Sequence, residues 1–167
     1  RVAFSPDGRW LGTVSDERIA RLWEATTGRE VARMSHRDNV RDLAFSPDGK
    51  WVATASADNT ARVWQSAPGH PAVRLAHDDF ATALAFSPDG TRLVTGSFDH
   101  TARVWDTVTG KEVSRVTHED EVADVAFSSN GRWVATASFD NTAAVWEAAT
   151  GRQVARLAHQ DWVKTVQ

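Results

Sequence analysis

Histidine, serine and aspartate recur together in this 167-residue chain, each time ahead of a tryptophan. One copy is His36, Ser56, Asp58 and Trp64, and the other two are His77, Ser97, Asp99 and Trp105, and His118, Ser138, Asp140 and Trp146. These are the residue types of a hydrolase triad, in which the histidine removes the proton of the serine hydroxyl. Three copies of one active site at even spacing would be unusual, so the sequence favours a repeated structural role.

The structural role expected of each set is a chain of hydrogen bonds, which we call the staple. We expect the indole N–H of Trp64 to donate to Ser56. Ser56 would then bond His36, and His36 would bond Asp58 in the following turn. Such a chain gives every buried polar group a partner and ties two strands to a loop. The same staple is expected in the other two copies.

One interval of 41 residues relates these sets to the rest of the chain. It separates the members of three series: Phe4, Phe45, Phe86 and Phe127; Trp23, Trp64, Trp105 and Trp146; and His36, His77, His118 and His159. A unit of about 40 residues with a histidine, a turn and a tryptophan is the signature of a β-propeller blade. The function is therefore expected to belong to the whole array.

The unit from 36 to 76 has the pattern of four short antiparallel strands. Residues 40–45 end at Ser-Pro-Asp-Gly, a turn in which proline presets φ, aspartate bonds locally and glycine takes a left-handed conformation. Three further strands rich in β-forming residues follow, at 51–56, 61–64 and 72–75. The pattern predicts blades at about 1–35, 36–76, 77–117 and 118–158, with 159–167 as the first strand of a further blade.

Together these motifs resemble the WD-repeat β-propeller family over essentially the whole chain. They comprise Phe-Ser-Pro-Asp-Gly at 45–49 and 86–90, Ser-x-Asp before Asn-Thr or His-Thr, and a tryptophan at a fixed distance. The glycine that precedes the histidine in the family is replaced here, and only Asp106 completes a Trp-Asp pair. The resemblance implies an all-β fold of about four blades, each of four antiparallel strands, within a ring of seven or eight blades or a dimer closing to eight.

The first unit departs furthest from this pattern. Glu17 stands in place of the turn aspartate, and no histidine precedes Ser15 and Trp23. Our hypothesis is that His159 occupies the missing place when chain ends meet, within one chain or between two. Four blades of a larger ring would leave two terminal sheets bare. We therefore expect closure either by a homodimer completing an eight-blade ring or by further sequence of a longer protein.

Composition restricts the classes of partner. The net charge is −3 with both signs scattered and no basic stripe, so we expect no nucleic acid partner. No apolar run approaches the ~18 residues of a spanning helix, so no membrane association is expected. Cysteine is absent, which excludes thiolate metal sites and fits the reducing cytoplasm. We expect no cofactor and no metal, and the residue usage is typical of bacterial proteins.

The resemblance implies a rigid platform that binds a protein or peptide on one rim, as the sensing or docking part of a multidomain protein. In the family, the residue before the turn aspartate and the third residue after the histidine tend to face this rim. These positions include six candidate partner-binding residues: Phe80, Phe98, Phe139, Trp162, Asn39 and Glu121. Aromatic residues are enriched at binding hot spots. The alternative is that the aromatic residues only pack against neighbouring blades.

Two other functional classes stay open. One is a purely structural duplicated array without a dedicated partner, which the even spacing favours. The other is an enzyme with its site in the propeller channel; no cluster of acids, bases and nucleophiles breaks the period, but a channel metal or a strongly shifted carboxylate would favour it. Asp42 and Asp124 are interpreted as solvated channel walls. His70 and His100 have no second metal ligand at a suitable spacing.

Overall fold

The computed structural model describes residues 1–66 and 71–167, which form sixteen β-strands and no helix. The strands are β1 Val2–Phe4, β2 Trp10–Thr13, β3 Ile19–Glu24, β4 Glu30–Ser35, β5 Val40–Phe45, β6 Trp51–Ser56, β7 Thr60–Gln65, β8 Pro71–Ala76, β9 Ala81–Phe86, β10 Arg92–Ser97, β11 Thr101–Asp106, β12 Glu112–Thr117, β13 Val122–Phe127, β14 Trp133–Ser138, β15 Thr142–Glu147 and β16 Gln153–Ala158. Consecutive groups of four form four separate antiparallel sheets, each in chain order. The predicted all-β fold of four-stranded blades is confirmed.

The turn between the first two strands of a blade has the predicted chemistry. Ser46 Oγ donates to Asp48 Oδ1 at 2.6 Å, and the amide of Trp51 donates back to Ser46 Oγ at 3.0 Å. Gly49 has a φ of 69°, a left-handed conformation that glycine adopts without a steric penalty. These local bonds fix the hairpin of β5 and β6.

Three hydrophobic cores lie between successive sheets rather than within any one of them. The first core joins Leu22 and Met34 of the first sheet to Leu43 and Val52 of the second. The other two cores join the second sheet to the third and the third to the fourth. Because each sheet carries apolar side chains on both faces, each needs a neighbour on both sides, as propeller blades do.

Glycines in the second strand of a blade let the next sheet approach closely. A Cβ atom at Gly96 would lie 2.9 Å from Val122 Cγ1, and one at Gly12 would lie 2.6 Å from Leu43 Cδ2. Both distances are too short for close-packed carbon atoms unless a neighbour moves. Gly96 and Gly12 therefore permit the close approach of neighbouring sheets.

The arc of four sheets has an open apolar flank at each end. Val2 on β1 is 65 % exposed, and Leu157 on β16 is 54 % exposed. The equivalent positions of the other sheets are 6 % exposed or less: Leu43, Leu84 and Val125 for Val2, and Met34, Leu75 and Val116 for Leu157. The same side chains that are buried between sheets are therefore uncovered at the two ends of the arc.

Residues 159–167, predicted to be the first strand of a further blade, form no strand with the described residues. The first strand of a blade pairs with the second strand of the same blade, as β13 pairs with β14, so this assignment stays a prediction. The segment nevertheless runs beside the fourth sheet. Thr165 Oγ1 and the Val166 amide both donate to Asp124 Oδ2, at 2.8 and 3.1 Å.

Candidate functional site

A buried hydrogen-bond chain crosses the second sheet. Trp64 Nε1 donates to Thr54 Oγ1 at 2.8 Å, and this oxygen lies 2.7 Å from His36 Nε2. His36 Nδ1 lies 3.2 Å from Asp58 Oδ2. The rings of His36 and Trp64 also meet edge to face, with centroids 5.8 Å apart. The chain links β6, β7, the loop before β5 and the turn after β6.

The same geometry recurs in the third and fourth sheets. In both, the tryptophan-to-threonine distance is 2.8 Å and the threonine-to-histidine distance is 2.7 Å. The histidine-to-aspartate distance is 2.9 Å in the third sheet and 2.8 Å in the fourth. The members are Trp105, Thr95, His77 and Asp99 in the third sheet, and Trp146, Thr136, His118 and Asp140 in the fourth.

The hydroxyl of this chain belongs to threonine, so the prediction that Ser56, Ser97 and Ser138 hold the place is wrong. The register of β6 and β7 gives the reason: Val52 pairs with Trp64, and Thr54, the next residue on that face, lies diagonally within reach of the indole. Ser56 lies two residues further along β6. The sequence signal is a threonine ten residues before each tryptophan, at Thr13, Thr54, Thr95 and Thr136.

The serines instead join the loop before the first strand to the turn after the second. Ser56 Oγ donates to Asp38 O at 3.1 Å and accepts the amide of Asp58 at 3.1 Å. Ser97 and Ser138 make the same two kinds of bond in their own sheets. Each serine therefore fixes two neighbouring loops on the same rim of its blade.

An arginine reaches the staple aspartate in each of these sheets. The pairs are Arg62 with Asp58 at 3.1 Å, Arg103 with Asp99 at 2.7 Å, and Arg156 with Asp140 at 3.2 Å. The first two arginines lie on the third strand, whereas the last lies on the fourth strand because Ala144 occupies the third-strand position. Sequence reasoning missed these arginines, although Thr60, Arg62 and Trp64 alternate along one face of β7.

Burial keeps His36 of the staple neutral. It lowers the pKa of His36 to about 4, although the charge of Asp58 opposes the shift. In neutral His36, Nδ1–H donates to Asp58 and Nε2 accepts the hydroxyl proton of Thr54. Thr54 is 0 % exposed. The chain therefore stabilises the blade and presents no hydroxyl that a substrate could reach.

The staple aspartates are ionised acceptors. Burial opposes the ionisation of Asp99, but hydrogen bonds from His77 and Thr101 outweigh it and hold the pKa of Asp99 well below its ordinary value. The same balance of burial against hydrogen bonds lowers the pKa of Asp140 to about 2. Both carboxylates can therefore accept bonds from histidine and arginine together at neutral pH.

The first sheet has only part of the staple. Trp23 Nε1 donates to Thr13 Oγ1 at 2.8 Å, so Thr13 and not Ser15 holds the hydroxyl position. Glu17 lies 2.7 Å from Arg21 in a surface ion pair. Among the described residues no histidine bonds Thr13. His159 lies beyond the fourth sheet, where its amide donates to Asn141 O at 2.8 Å.

Phe80, Phe98 and Phe139 lie in the loops that the serines join, whereas Trp162 lies in the segment after the fourth sheet. The rings of Phe80 and Phe98 have centroids 5.7 Å apart and a tilt of 35°. Those of Phe139 and Trp162 have centroids 5.0 Å apart and a tilt of 32°. We call these two contacts the rim aromatic pairs. Trp162 is 58 % exposed, and the three phenylalanines are half-buried.

The two polar candidates occupy the position of Phe80 in other blades. Asn39 and Glu121 are half-buried, and their carbonyl oxygens accept the amides of Ala57 and Phe139 at 2.9 and 3.0 Å. The six candidates therefore belong to one set of loops. Each aromatic ring packs on another, as the packing alternative requires, yet each keeps part of its surface open to solvent.

Asp42 is not the solvated channel wall that the sequence suggested. It is 3 % exposed; its Oδ1 accepts the Leu43 amide at 2.7 Å, and its Oδ2 accepts the Leu84 amide of the next sheet at 3.1 Å. Arg1 Nε lies 3.1 Å from Oδ1. That interpretation is wrong because the carboxylate bridges β5 and β9, and Asp124 makes the equivalent bridge to Val166.

Asp42 has a shifted pKa and a cavity beside it. Burial raises the pKa of Asp42 to about 6, with the charge of Arg1 opposing the shift. A neighbouring cavity of about 330 Å³ is lined by Arg1, Leu84, Asp124 and Thr165 among others, and no histidine, serine or cysteine of the described chain lines it. Burial outweighs the two backbone amides and Arg1, which all favour the ionised carboxylate and lower its pKa.

The described residues contain no cluster of three or more histidine, aspartate or glutamate side chains placed to hold a metal. His100 is exposed and has a φ of 66° in the turn after Asp99. His70 lies outside the described residues. In residues 1–66 and 71–167, no helix is long and apolar enough to cross a membrane.

Comparison with known proteins agrees with the repeat seen in the structure. A family model described as "WD domain, G-beta repeat" matches the chain four times, at residues 1–24, 28–65, 69–106 and 110–147. Each match ends at the residue after a repeated tryptophan. No curated protein sequence matches the chain significantly.

Proposed function

Because the chain belongs to the WD-repeat family, we propose that it is an interaction scaffold that binds a protein or peptide on the rim carrying the aromatic pairs. WD repeats generally mediate protein–protein interactions and are generally non-enzymatic. The chain acts as the sensing or docking module of a larger multidomain protein. The partner contacts the loops, and the sheets hold those loops in place.

The observation that carries this proposal is the partial exposure of the rim aromatic pairs on rigid loops. Trp162 is 58 % exposed although its ring packs on Phe139. The loop of Phe80 is fixed to the turn of Phe98 by a backbone bond of 2.9 Å and by Ser97. A rim that is ordered before binding loses little conformational entropy when a partner docks.

The test is a selection of peptides from a random library against the immobilised protein, followed by affinity measurements on two variants. Phe98→Ala removes one ring of a rim aromatic pair and is expected to weaken an enriched peptide by about tenfold or more. The matched control is Val108→Ala, since Val108 is 79 % exposed in the turn after β11, at the opposite end of the strands. The control is expected to bind as the unchanged protein does.

Two results would contradict the proposal. If Phe98→Ala bound as well as the unchanged protein, the rim would not be the binding surface. If no peptide bound saturably, the purely structural array, which the mutual packing of the aromatic rings favours, would be the better explanation. Melting temperatures accompany both measurements, because a large loss of stability in Phe98→Ala would make Phe98 a core residue.

We also propose that the two open flanks pair between two copies of the chain, head to tail, in an eight-blade ring. Leu157 occupies the position at which Met34, Leu75 and Val116 are buried against a following sheet. Val2 occupies the position of their partners Leu43, Leu84 and Val125. One flank is therefore complementary to the other, and a two-fold arrangement would cover both.

Light scattering tests this pairing. We expect twice the chain mass of 18.3 kDa for the unchanged protein and the chain mass for Leu157→Glu, because a charge on the flank cannot be buried without a partner. His159 of one copy would also be within reach of Thr13 of the other. A single-chain mass for the unchanged protein at high concentration would contradict the proposal.

We place the protein in the bacterial cytoplasm, with neither nucleic acid nor a membrane as its partner. A cysteine-free sequence is compatible with a reducing compartment, and its scattered charges offer no basic stripe for a phosphate backbone. Fractionation of cells that express the protein is the measurement, and recovery in the membrane fraction would contradict the placement.

A further inference from the structure

Carboxylates accompany the rim aromatic pairs in sequence and in space. Asp79 precedes Phe80, Asp120 and Glu121 precede β13, and Asp161 precedes Trp162. We call Asp79, Asp120, Glu121 and Asp161 the rim carboxylates. Ser97 and Ser138 bond the carbonyl oxygens of Asp79 and Asp120 and so hold these loops against the turns that carry Phe98 and Phe139.

The rim carboxylates are not neutralised within the described chain. Their neighbours Asp78 and Glu119 pair with Arg103 and Arg156, at 2.7 and 3.6 Å. No basic side chain of the described residues forms a salt bridge with a rim carboxylate. Asp79, Asp120 and Asp161 each use Oδ1 to accept the amide of the next residue, at 2.7, 2.8 and 2.8 Å, which leaves Oδ2 available.

Negative charge is concentrated between the two rim aromatic pairs. Glu121 lies there, and burial together with the charges of Asp120 and Asp79 raises its pKa, against the effect of His100. A group that feels carboxylates from its own loop and from the preceding blade lies in a negative field. A cation at this place would relieve the repulsion.

The rim of the first and second blades lacks the combination of aromatic rings with carboxylates. Asn39 stands where Phe80 and Glu121 stand in later blades, and Ala57 stands where Phe98 and Phe139 stand. Arg37 and Arg41 add positive charge near Asp38. The combination of carboxylates with aromatic rings is therefore confined to the third and fourth blades and the segment that follows them.

A cation already lies near one of the aromatic rings. Lys164 Nζ is 6.0 Å from the centroid of the Trp162 ring. The face of an aromatic ring attracts an ammonium or guanidinium group, most strongly for tryptophan. The exposed face of Trp162 and the adjoining Asp161 thus offer the two kinds of contact that a basic side chain makes.

We propose that the partner of this rim is a peptide segment bearing lysine or arginine, whose cationic side chains lie over the rim aromatic pairs and pair with the rim carboxylates. This inference rests on the proposed function, since it names the chemical class of the docked partner. Arginine fits best, because its planar guanidinium stacks on a ring while its N–H groups reach a carboxylate. Neutral and acidic peptides lack the second contact.

The experiment measures the affinity of four labelled peptides that differ at three spaced positions: arginine, lysine, citrulline or glutamate. Citrulline keeps the shape of arginine and removes its charge. We expect saturable binding in the order arginine, lysine, citrulline, with no binding of the glutamate peptide, and a fall in affinity with added salt. Equal affinity of the arginine and citrulline peptides would overturn the inference.

A pair of charge-matched variants locates the contact. Asp79→Asn with Glu121→Gln is expected to weaken the arginine peptide by about tenfold and to reduce its salt dependence. Asp16→Asn with Glu17→Gln makes the same change of charge on the rim of the first blade, where both residues are exposed, and is expected to change affinity less than about twofold. Equal effects of the two variants would overturn the inference.

The outcomes separate this inference from the proposed function. If citrulline and arginine peptides bind alike and Phe98→Ala weakens both, the rim is a docking site but its partner is not defined by charge. If the arginine peptide binds and neither Phe98→Ala nor the Asp79 and Glu121 variant weakens it, both the inference and the rim site are wrong. Failure of the arginine peptide to saturate at millimolar concentration overturns the inference alone when a library-selected peptide still binds the rim.

Discussion

Trp105 donates its indole N–H to Thr95 Oγ1 at 2.8 Å across the hairpin of β10 and β11. The same oxygen lies 2.7 Å from His77 Nε2, so one buried hydroxyl serves two elements at once. The rim loops depend on this contact, because His77 lies in the loop that leads to Phe80. The ordered rim loops that docking requires therefore depend on a hydrogen bond inside the sheet.

Replacing Thr95 by valine tests the staple. Thr95→Val keeps the shape of the side chain but leaves the Trp105 indole and His77 without their shared partner. We expect a loss of about 1–3 kcal/mol of unfolding free energy for each stranded group. Thr95→Ser keeps the hydroxyl and is expected to lose only about 1 kcal/mol. Urea unfolding measures both, and equal stability of the two variants would contradict the staple.

Ser97→Ala provides the comparison between the two hydroxyls of β10. Ser97 donates to Asp79 O at 3.2 Å and accepts the Asp99 amide at 3.0 Å, at the rim end of the strand. Its two partners are backbone groups of the exposed Asp79 and the half-buried Asp99, so we expect a loss of about 1 kcal/mol, smaller than that of Thr95→Val. A larger loss in Ser97→Ala than in Thr95→Val would restore serine as the centre of the staple.

Asp42 is expected to make stability depend on pH. Burial raises its pKa to about 6, so the folded state binds a proton that the unfolded state releases near pH 3.8. This contribution to stability is fully present below about pH 4 and is lost as pH rises through about 6. The unfolding free energy of the unchanged protein minus that of Asp42→Asn should fall by about 3 kcal/mol over this range. A difference that rises with pH would contradict the assignment.

Alanine substitutions at two glycines with the same backbone conformation compare the cost of backbone strain alone with the cost of strain plus a close contact between sheets. Gly8 and Gly151 have φ values of 69° and 71°, but a Cβ at Gly8 meets nothing within 4 Å, whereas one at Gly151 would lie 2.7 Å from Arg115 O. Gly8→Ala should cost about 1–2 kcal/mol through its backbone alone. Gly151→Ala should cost at least about 1 kcal/mol more, since the carbonyl belongs to the neighbouring sheet. Equal losses of stability on thermal unfolding would contradict the close contact between Gly151 and Arg115 O.

The repeat and the turns could be predicted because they depend on residues close together in the chain. The Ser-Pro-Asp-Gly turn contains its own hydrogen bonds, as Ser46 and Asp48 show, and the 41-residue interval carries the pattern through four blades. These local signals were sufficient for the fold class.

The hydroxyl of the staple could not be chosen from the sequence in the same way. Thr54 and Ser56 both recur at the same interval and lie on the same face of β6. Only the register that pairs Val52 with Trp64 decides which of them is diagonal to the indole. The repeat therefore identified the strand but not the residue.

The burial of Asp42 could not be predicted from the sequence because it depends on a contact between two sheets. Its carboxylate accepts the amide of Leu84, which lies 42 residues further along the chain. An aspartate on a first strand resembles a solvated residue until the next sheet supplies that donor. Contacts between blades of this kind require the packed structure.

Amide NMR spectra recorded with and without a library-selected peptide would locate the binding face most directly. We predict that the largest shifts fall in the rim loops at 78–80, 98–100, 119–121, 139–141 and 160–162, with the indole resonance of Trp162 among them. Shifts confined to the opposite turns at 47–49, 88–90 and 129–131, with the rim loops unchanged, would contradict docking on the rim.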